Sequence, residues 1–152
     1  MPEPVFQGGT AEDSPGFSLW QVSSLWQRKI NAGLRQFDLT HAQFVLLASL
    51  LWLGDGDKPL TQVELASHAK MDIMMASNVL RTLETKRLIT RNPHPTDTRA
   101  KSLALTSKGK KLAEQAVPMV ENIDRIFFSP LGSNADKFNQ HLLKLIELNT
   151  VE

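Results

Sequence analysis

Cysteine is absent from this chain of 152 residues. Its absence excludes disulfide bonds, a thiol nucleophile, a thiolate metal site and a cysteine redox sensor. The N-terminus lacks the basic-then-apolar pattern of a signal peptide. The longest apolar run, residues 44–53, is interrupted by Ser49 and is too short to cross a membrane. We therefore expect a soluble cytoplasmic protein with no membrane partner.

Catalytic and cofactor motifs are also missing. The sequence has no glycine-rich phosphate loop, no nucleophile elbow and no paired catalytic carboxylate motif. Its four histidines are scattered, without carboxylate or cysteine partners at the spacing of metal ligands. Residues 54–57 lack the spacing and the closing glutamate of an EF-hand, so they are predicted to form a turn. We expect no enzymatic activity, no cofactor and no metal site.

The net charge of +1 conceals an uneven charge distribution. Between residues 81 and 111, nine basic residues are opposed only by Glu84 and Asp97. A basic block in a nearly neutral chain is typical either of a solvated surface or of a face that binds a polyanion. The second interpretation is favoured here because the block follows two segments spaced like a helix-turn-helix.

The first helices are predicted from composition and apolar spacing. Residues 1–16 are rich in proline and glycine and are expected to form a flexible arm. Apolar residues then recur mostly at steps of three and four through residues 17–37, which predicts an amphipathic helix. Thr40 and Gln43 form a capping box that opens a buried helix ending at residue 53.

A helix pair follows. Thr61 and Glu64 form a second capping box, which opens a short helix over residues 62–69. Asp72 is a candidate N-cap for the next helix, which runs from residue 73 to about residue 86. The tight turn and the polar outer face of the second helix are typical of a helix-turn-helix.

A β-hairpin and two long helices complete the chain. Residues 88–91 are a predicted strand, residues 92–97 a turn-rich tip and residues 102–105 an alternating return strand. Thr106 or Ser107 then caps a long helix reaching about residue 128, with a kink near Pro118. A last amphipathic helix begins near residue 133.

This order of elements resembles the MarR family of bacterial winged helix-turn-helix transcription regulators. The motifs that carry the resemblance follow one another in the family's order: Leu83-Glu84 leading to a strand that ends at Arg91, Asp97-Thr98-Arg99 at the wing, and Leu105-Thr106 with Gly109. Arg87 departs from the pattern, because the family commonly has glycine just before the strand. Glycine there permits a left-handed backbone at the helix end, so the turn geometry is left open.

The resemblance implies a mainly α fold with a small β-hairpin wing. It places a winged helix-turn-helix lobe at residues 40–106, with N- and C-terminal dimerisation helices at residues 17–39 and 107–150. It also implies a homodimer on a pseudo-palindromic operator in double-stranded DNA. The recognition helices would enter successive major grooves and the wings the flanking minor grooves.

The predicted DNA-binding residues lie on the second helix of the pair and on the wing: Met75, Ser77, Asn78, Arg81, Arg99 and Lys101. Asn78 is suited to a bidentate contact with adenine, and Arg81 to guanine or to a phosphate. Arg99 would enter a narrow minor groove, aimed by a hydrogen bond to Asp97.

Other side chains near this surface have less specific roles. Ser77 could reach a base or a phosphate. Met74 or Met75 could touch a thymine methyl group, or either could pack in the core. Lys86, Arg87 and Lys101 would add sequence-independent attraction to the phosphates.

The resemblance further implies a small-molecule effector, aromatic or phenolic, held between the dimer helices and the lobe. Five aromatic residues are candidates either for its pocket or simply for the core: Trp20, Trp26, Phe37, Phe44 and Trp52. Two rival functions stay open at this stage. One is a winged-helix protein-interaction module without DNA binding, and the other is a small-molecule-binding protein that keeps only the fold.

Overall fold

The computed structural model describes residues 2, 5–54, 59–97 and 99–150. Within these residues the chain forms the following helices and strands: α1 (Pro15–Leu34), α2 (His41–Leu53), β1 (Leu60–Thr61), α3 (Gln62–Ala69), α4 (Ile73–Thr85), β2 (Ile89–Pro93), β3 (Lys101–Leu105), α5 (Ser107–Phe128) and α6 (Ala135–Asn149). Short 3₁₀ turns lie at Ala11–Asp13, Arg35–Phe37 and Ser129–Asn134. The turn predicted at residues 54–57 lies, apart from Gly54, outside the described residues.

The helix starts of the lobe confirm the caps predicted from the sequence. Thr40 and Gln43 exchange two hydrogen bonds of 3.2 Å between side chain and backbone, and Thr61 and Glu64 do the same. The carboxylate of Asp72 accepts two backbone N–H groups in the first turn of α4. These local bonds satisfy donors that have no partner inside the helix.

Three helical segments end in a left-handed residue that is not glycine. Asp38, Lys70 and Arg87 have φ values of 53°, 53° and 62°. At the end of α4, the backbone N–H of Leu88 returns to the carbonyl of Leu83 at 2.9 Å, as in a Schellman motif. The geometry left open at Arg87 is therefore the left-handed one, although a side chain there costs about 1–2 kcal/mol.

The sheet has one strand more than the predicted hairpin. Its order is β1-β3-β2 and both pairings are antiparallel, with Ile89 opposite Leu105 and Leu60 opposite Leu103. β2 also extends to Pro93, two residues beyond the predicted strand. The two-residue strand β1 fastens the start of α3 to the base of the wing.

The core of the lobe lies where α2, α3 and α4 meet β2 and β3 and the inner halves of α1 and α5. Its fully buried large side chains are Ile30, Leu34, Leu46, Leu47, Leu65, Leu80, Leu83 and Ile89. Gly109, in the first turn of α5, is required by this packing. A Cβ at that position would overlap the carbonyl oxygen of Leu88. The start of α5 can therefore lie directly against the chain that enters the wing.

The terminal helices are packed differently from the lobe. α6 buries none of its residues. Its apolar side chains are more than half exposed at four positions: Leu143, Leu145, Ile146 and Leu148. α1 begins at Pro15, two residues before the predicted start, because Ser14 caps it and accepts the N–H of Phe17 at 3.2 Å. No described helix is both long enough and apolar enough to span a membrane.

Candidate nucleic-acid interface

The exposed face of α4 carries a stripe of side chains at helical spacing. Met74, Asn78, Arg81 and Thr85 follow one another at steps of four, three and four residues, and all four are exposed. The opposite face, which includes Leu80, is buried in the core. α4 therefore presents an apolar side chain, an amide and a cation along one line, which suits the edges of bases in a major groove.

The methionines of α4 do not pack in the core. Met74 is 72% exposed and Met75 is 48% exposed. Met74 lies on the stripe itself, whereas the predicted Met75 lies on its flank. Ser77 is on the other flank, half-buried, and its carbonyl accepts Nη2 of Arg91 at 3.4 Å. Of the predicted residues on α4, Asn78 and Arg81 have the most direct access to a ligand.

The tip of the wing is organised by Asp97. Its carboxylate accepts the backbone N–H of Arg99 at 3.0 Å, and its carbonyl accepts the N–H of Ala100 at 3.2 Å. The hydrogen bond predicted between Asp97 and Arg99 thus involves the Arg99 backbone. It holds the main chain beneath the exposed guanidinium and leaves the side chain free to extend. Residue 98 lies outside the described part of the chain.

His94 is a second organiser of the tip, and the sequence had given no reason to single it out. Its Nδ1 accepts the backbone N–H groups of Thr96 at 3.2 Å and of Asp97 at 3.0 Å. The only available signal was its place inside a stretch of turn-forming residues, where a side chain often replaces a backbone partner. His94 is therefore a structural residue of the wing.

Arg91 connects the wing to α4. Its Nη2 reaches the carbonyl of Ser77, and its Nε lies 3.8 Å from Oε2 of Glu84 without a hydrogen-bond partner in the described structure. The side chain is largely buried between β2 and α4. Arg91 therefore links β2 of the wing to α4, the two elements predicted to contact DNA. This role of Arg91 had not been predicted from the sequence.

Three cations of the basic block on α4 and the wing are available to a polyanion. Arg81, Arg99 and Lys101 are exposed, and none of them forms an ion pair with a described carboxylate. Lys86 is different, because its ammonium is bound to acceptors of the protein itself. These three cations lie on α4 and the wing, the two elements predicted to contact DNA, whereas Lys110 and Lys111 of the same block are exposed on α5.

A small polar cluster joins α1, α2 and α5. The indole Nε1 of Trp26 donates to the carboxylate of Asp124 at 2.8 Å, and the ring of His41 packs edge-on against Trp26 with centroids 5.1 Å apart. Nδ1 of His41 lies 2.7 Å from Oε1 of Gln27. Burial lowers the pKa of His41 below its ordinary value, and the charge of Asp124 partly opposes that shift. The cluster links the lobe to the long helices.

The five aromatic residues considered for an effector pocket are not gathered into one cavity. Phe44 is core, Trp26 and Phe37 pack against the core, and Trp20 is exposed. Trp52 is 80% exposed and borders an open depression of about 540 Å³ between α2, α3 and α5. No group of three metal-binding side chains occurs among the described residues.

Three packed helices and a three-stranded sheet, whose last two strands form the wing, define the winged-helix class, and comparison with known proteins places the chain within it. The family model described as the ArnR1-like winged-helix domain matches residues 35–122. An uncharacterised HTH-type transcriptional regulator of Bacillus subtilis, YdcH, is 47% identical over 116 residues, covering 76% of this chain and 79% of the relative. The HTH-type transcriptional repressor Rv2887 of Mycobacterium tuberculosis is 30% identical over 139 residues, covering 90% and 97%.

Solved structures agree with these relatives. The Staphylococcus aureus MepR–DNA complex has a TM-score of 0.82 and 29% identity, covering 90% of this chain and 99% of MepR. A mutant of Escherichia coli MarR in complex with operator DNA has a TM-score of 0.75 and 27% identity, covering 90% of this chain and 96% of that chain. This chain belongs to the MarR family of winged-helix transcriptional regulators, within the group described by the ArnR1-like domain.

Proposed function

We propose that this protein is a cytoplasmic, non-enzymatic regulator that binds a pseudo-palindromic operator in double-stranded DNA and represses transcription. The observation that carries the proposal is the exposure of Asn78 on α4, together with that of the cations Arg81 on α4 and Arg99 on the wing, which form no ion pair with a described carboxylate. Repression is supported by the relative Rv2887, which is named a repressor.

The binding unit in this proposal is a homodimer formed by the terminal helices. The apolar side chains left exposed on α6, together with Leu19 and Trp20 on α1 and Ile126 on α5, give a surface that one chain does not cover. A two-fold dimer would present two copies of α4 to two half-sites, which matches a pseudo-palindromic operator. With about two to four phosphate contacts per subunit, the salt slope of binding is expected to be roughly −4 to −7.

The proposal includes relief of repression by a small aromatic or phenolic effector. Trp52 supports this part, because an exposed indole beside an open depression offers a stacking surface for an aromatic ring. An effector would act only if it bound the DNA-incompetent arrangement more tightly than the competent one.

The test begins with selection of a duplex from a random-sequence pool by the native chain. Fluorescence anisotropy over a salt series then compares this duplex with a scrambled one, for the native chain and for Arg99→Ala. We expect Arg99→Ala to weaken binding to the selected duplex by about tenfold. Lys137→Ala on α6, a cation remote in sequence from α4 and the wing, is the matched control and should bind like the native chain.

A protein-interaction module would give a different result. Ile73 and Met74 at the start of α4 are exposed apolar side chains that could equally meet another protein. If no duplex is enriched and the residual binding is indifferent to sequence and to Arg99, the operator-binding proposal is wrong and the interaction module takes its place.

A further inference from the structure

The ammonium of Lys86, the residue that follows α4, is bound inside the protein. Its Nζ donates to the backbone carbonyl of Asp38 at 2.5 Å and to Oε1 of Gln43 at 3.1 Å, and it lies 3.5 Å from the Asp38 carboxylate. The two carbonyl-type oxygens accept hydrogen bonds from the ammonium, whereas the carboxylate is close enough only for an ion pair. The Lys86 side chain is 28% exposed. Two of its three N–H donors are thus hydrogen-bonded to the protein itself, and the ion pair adds a weaker attraction.

The acceptors of Lys86 are not equivalent. The Asp38 carboxylate is 97% exposed, so water screens its attraction to Lys86. The Gln43 residue is only 7% exposed, and its Oε1 also accepts the backbone N–H of Thr40 at 3.2 Å. The Oε1 of this buried residue therefore accepts hydrogen bonds from both the start of α2 and the end of α4. The link between these helices depends on Gln43 and on the Asp38 carbonyl.

The same end of α4 is also held by α5. Nζ of Lys108 donates to the Lys86 carbonyl at 3.4 Å, and Oγ1 of Thr106 donates to the Arg87 carbonyl at 2.7 Å. Asp38 belongs to the turn that follows α1, and Thr106 is the N-cap of α5. The turn after α1 and the start of α5 thus both contact the C-terminal end of α4.

We propose that Lys86 is a positioning residue that sets the orientation of α4 against the turn between α1 and α2, without contacting DNA. The proposal rests on the operator-binding function proposed above. Contacts to base edges depend on aligned donors and acceptors, whereas phosphate contacts carry no sequence information. Loss of the Lys86 link therefore reduces discrimination between sequences more than it reduces affinity for DNA in general.

The test uses Lys86→Met in the full chain, with the selected and the scrambled duplex described above. We expect affinity for the selected duplex to fall about tenfold, comparable to the loss of one good base contact. Affinity for the scrambled duplex and the salt slope should stay unchanged. Asp38→Asn is the matched control. It removes the exposed ion pair but keeps the backbone carbonyl, so its discrimination should equal that of the native chain.

Gln43→Met provides an independent variant. Gln43 is buried, so its side chain cannot contact a DNA phosphate directly. It should lose discrimination as Lys86→Met does, and the two changes together should be less than additive. A merely structural role would lower the melting temperature and leave the ratio of the two affinities unchanged. That result would overturn the proposal. So would an equal loss on both duplexes with a salt slope shallower by about 1, which marks a phosphate contact.

Hydrogen exchange of the DNA-free proteins separates this inference from the function on which it rests. Lys86→Met should speed amide exchange at the end of α4 and in the turn after α1, compared with the native chain and with Asp38→Asn. Unchanged exchange at both places would overturn the positioning role even if operator binding is established. If Lys86→Met exchanges faster at these places but the native chain selects no duplex, the positioning role of Lys86 in the fold stands and the operator-binding proposal is wrong.

Discussion

The lobe and the terminal helices use their apolar residues in opposite ways. In the lobe, Leu65, Leu80 and Leu83 are fully buried within a single chain. On α6, the apolar stripe that includes Leu145 and Ile146 is more than half exposed. Since large contiguous apolar surface is uncommon on monomeric proteins, this difference supports the proposal that the terminal helices form half of a dimer interface.

The largest expected effect breaks the proposed dimer while sparing the lobe. Ile146→Glu places a charge in the α6 stripe, where an uncompensated buried carboxylate would cost about 3–5 kcal/mol. We expect monomers in sedimentation velocity at micromolar concentration, with the core of the lobe still folded by near-ultraviolet circular dichroism. Gln140→Glu, which adds one negative charge to the same helix away from Leu145 and Ile146, is the control. A dimer that persists in Ile146→Glu would contradict the assignment of this surface.

A smaller effect, on the free energy of unfolding, is expected from Arg87 in the lobe. Arg87→Gly removes the Cβ clash of the left-handed conformation, worth about 1–2 kcal/mol, although the freer unfolded glycine offsets about 0.4–1 kcal/mol of the gain. Urea unfolding should show a net stabilisation of roughly 0.5–1 kcal/mol, offset included. Arg87→Ala removes the charge but keeps the Cβ, so it should not be stabilised. Equal stability of the glycine and alanine variants would show that the backbone is not strained there.

The smallest expected effect concerns the junction between the two regions. Burial lowers the pKa of His41 in the folded chain below the ordinary value of 6.5. The unfolded chain therefore takes up the proton first, and this residue destabilises the fold as pH falls below 6.5. His41→Phe keeps a ring against Trp26 but cannot titrate. Its melting temperature should fall less between about pH 7.5 and about pH 5.5 than that of the native chain. An identical fall in both proteins would contradict the role of His41.

The parts of the fold that the sequence predicted well are those with local causes. The helix starts at Thr40, Thr61 and Asp72 depend on side chains within three residues, and each was located to the residue. β1 was missed because two residues carry no periodicity, and its strand character comes from pairing Leu60 with Leu103, which is distant in sequence. The exposure of Trp52 was also unforeseen, because the helix that contains it is apolar on nearly every side.

The candidate site divides in the same way. Asn78, Arg81 and Arg99 could be proposed from residue type and position, and their direct roles stay predictions until binding is measured. Lys86 looked like another surface cation in the sequence. Its acceptors lie more than forty positions earlier in the chain, so only the folded structure brings them within reach.

The hydrogen bonds at the tip of the wing bear on how much change in length this part of the chain tolerates. The hydrogen bonds around His94, Asp97 and Arg99 all join residues inside one short stretch of the hairpin. The described hydrogen bonds of the tip are therefore local, and none of these three reaches the core of the lobe. We therefore expect that the tip can be lengthened or shortened without disturbing the packing of the lobe.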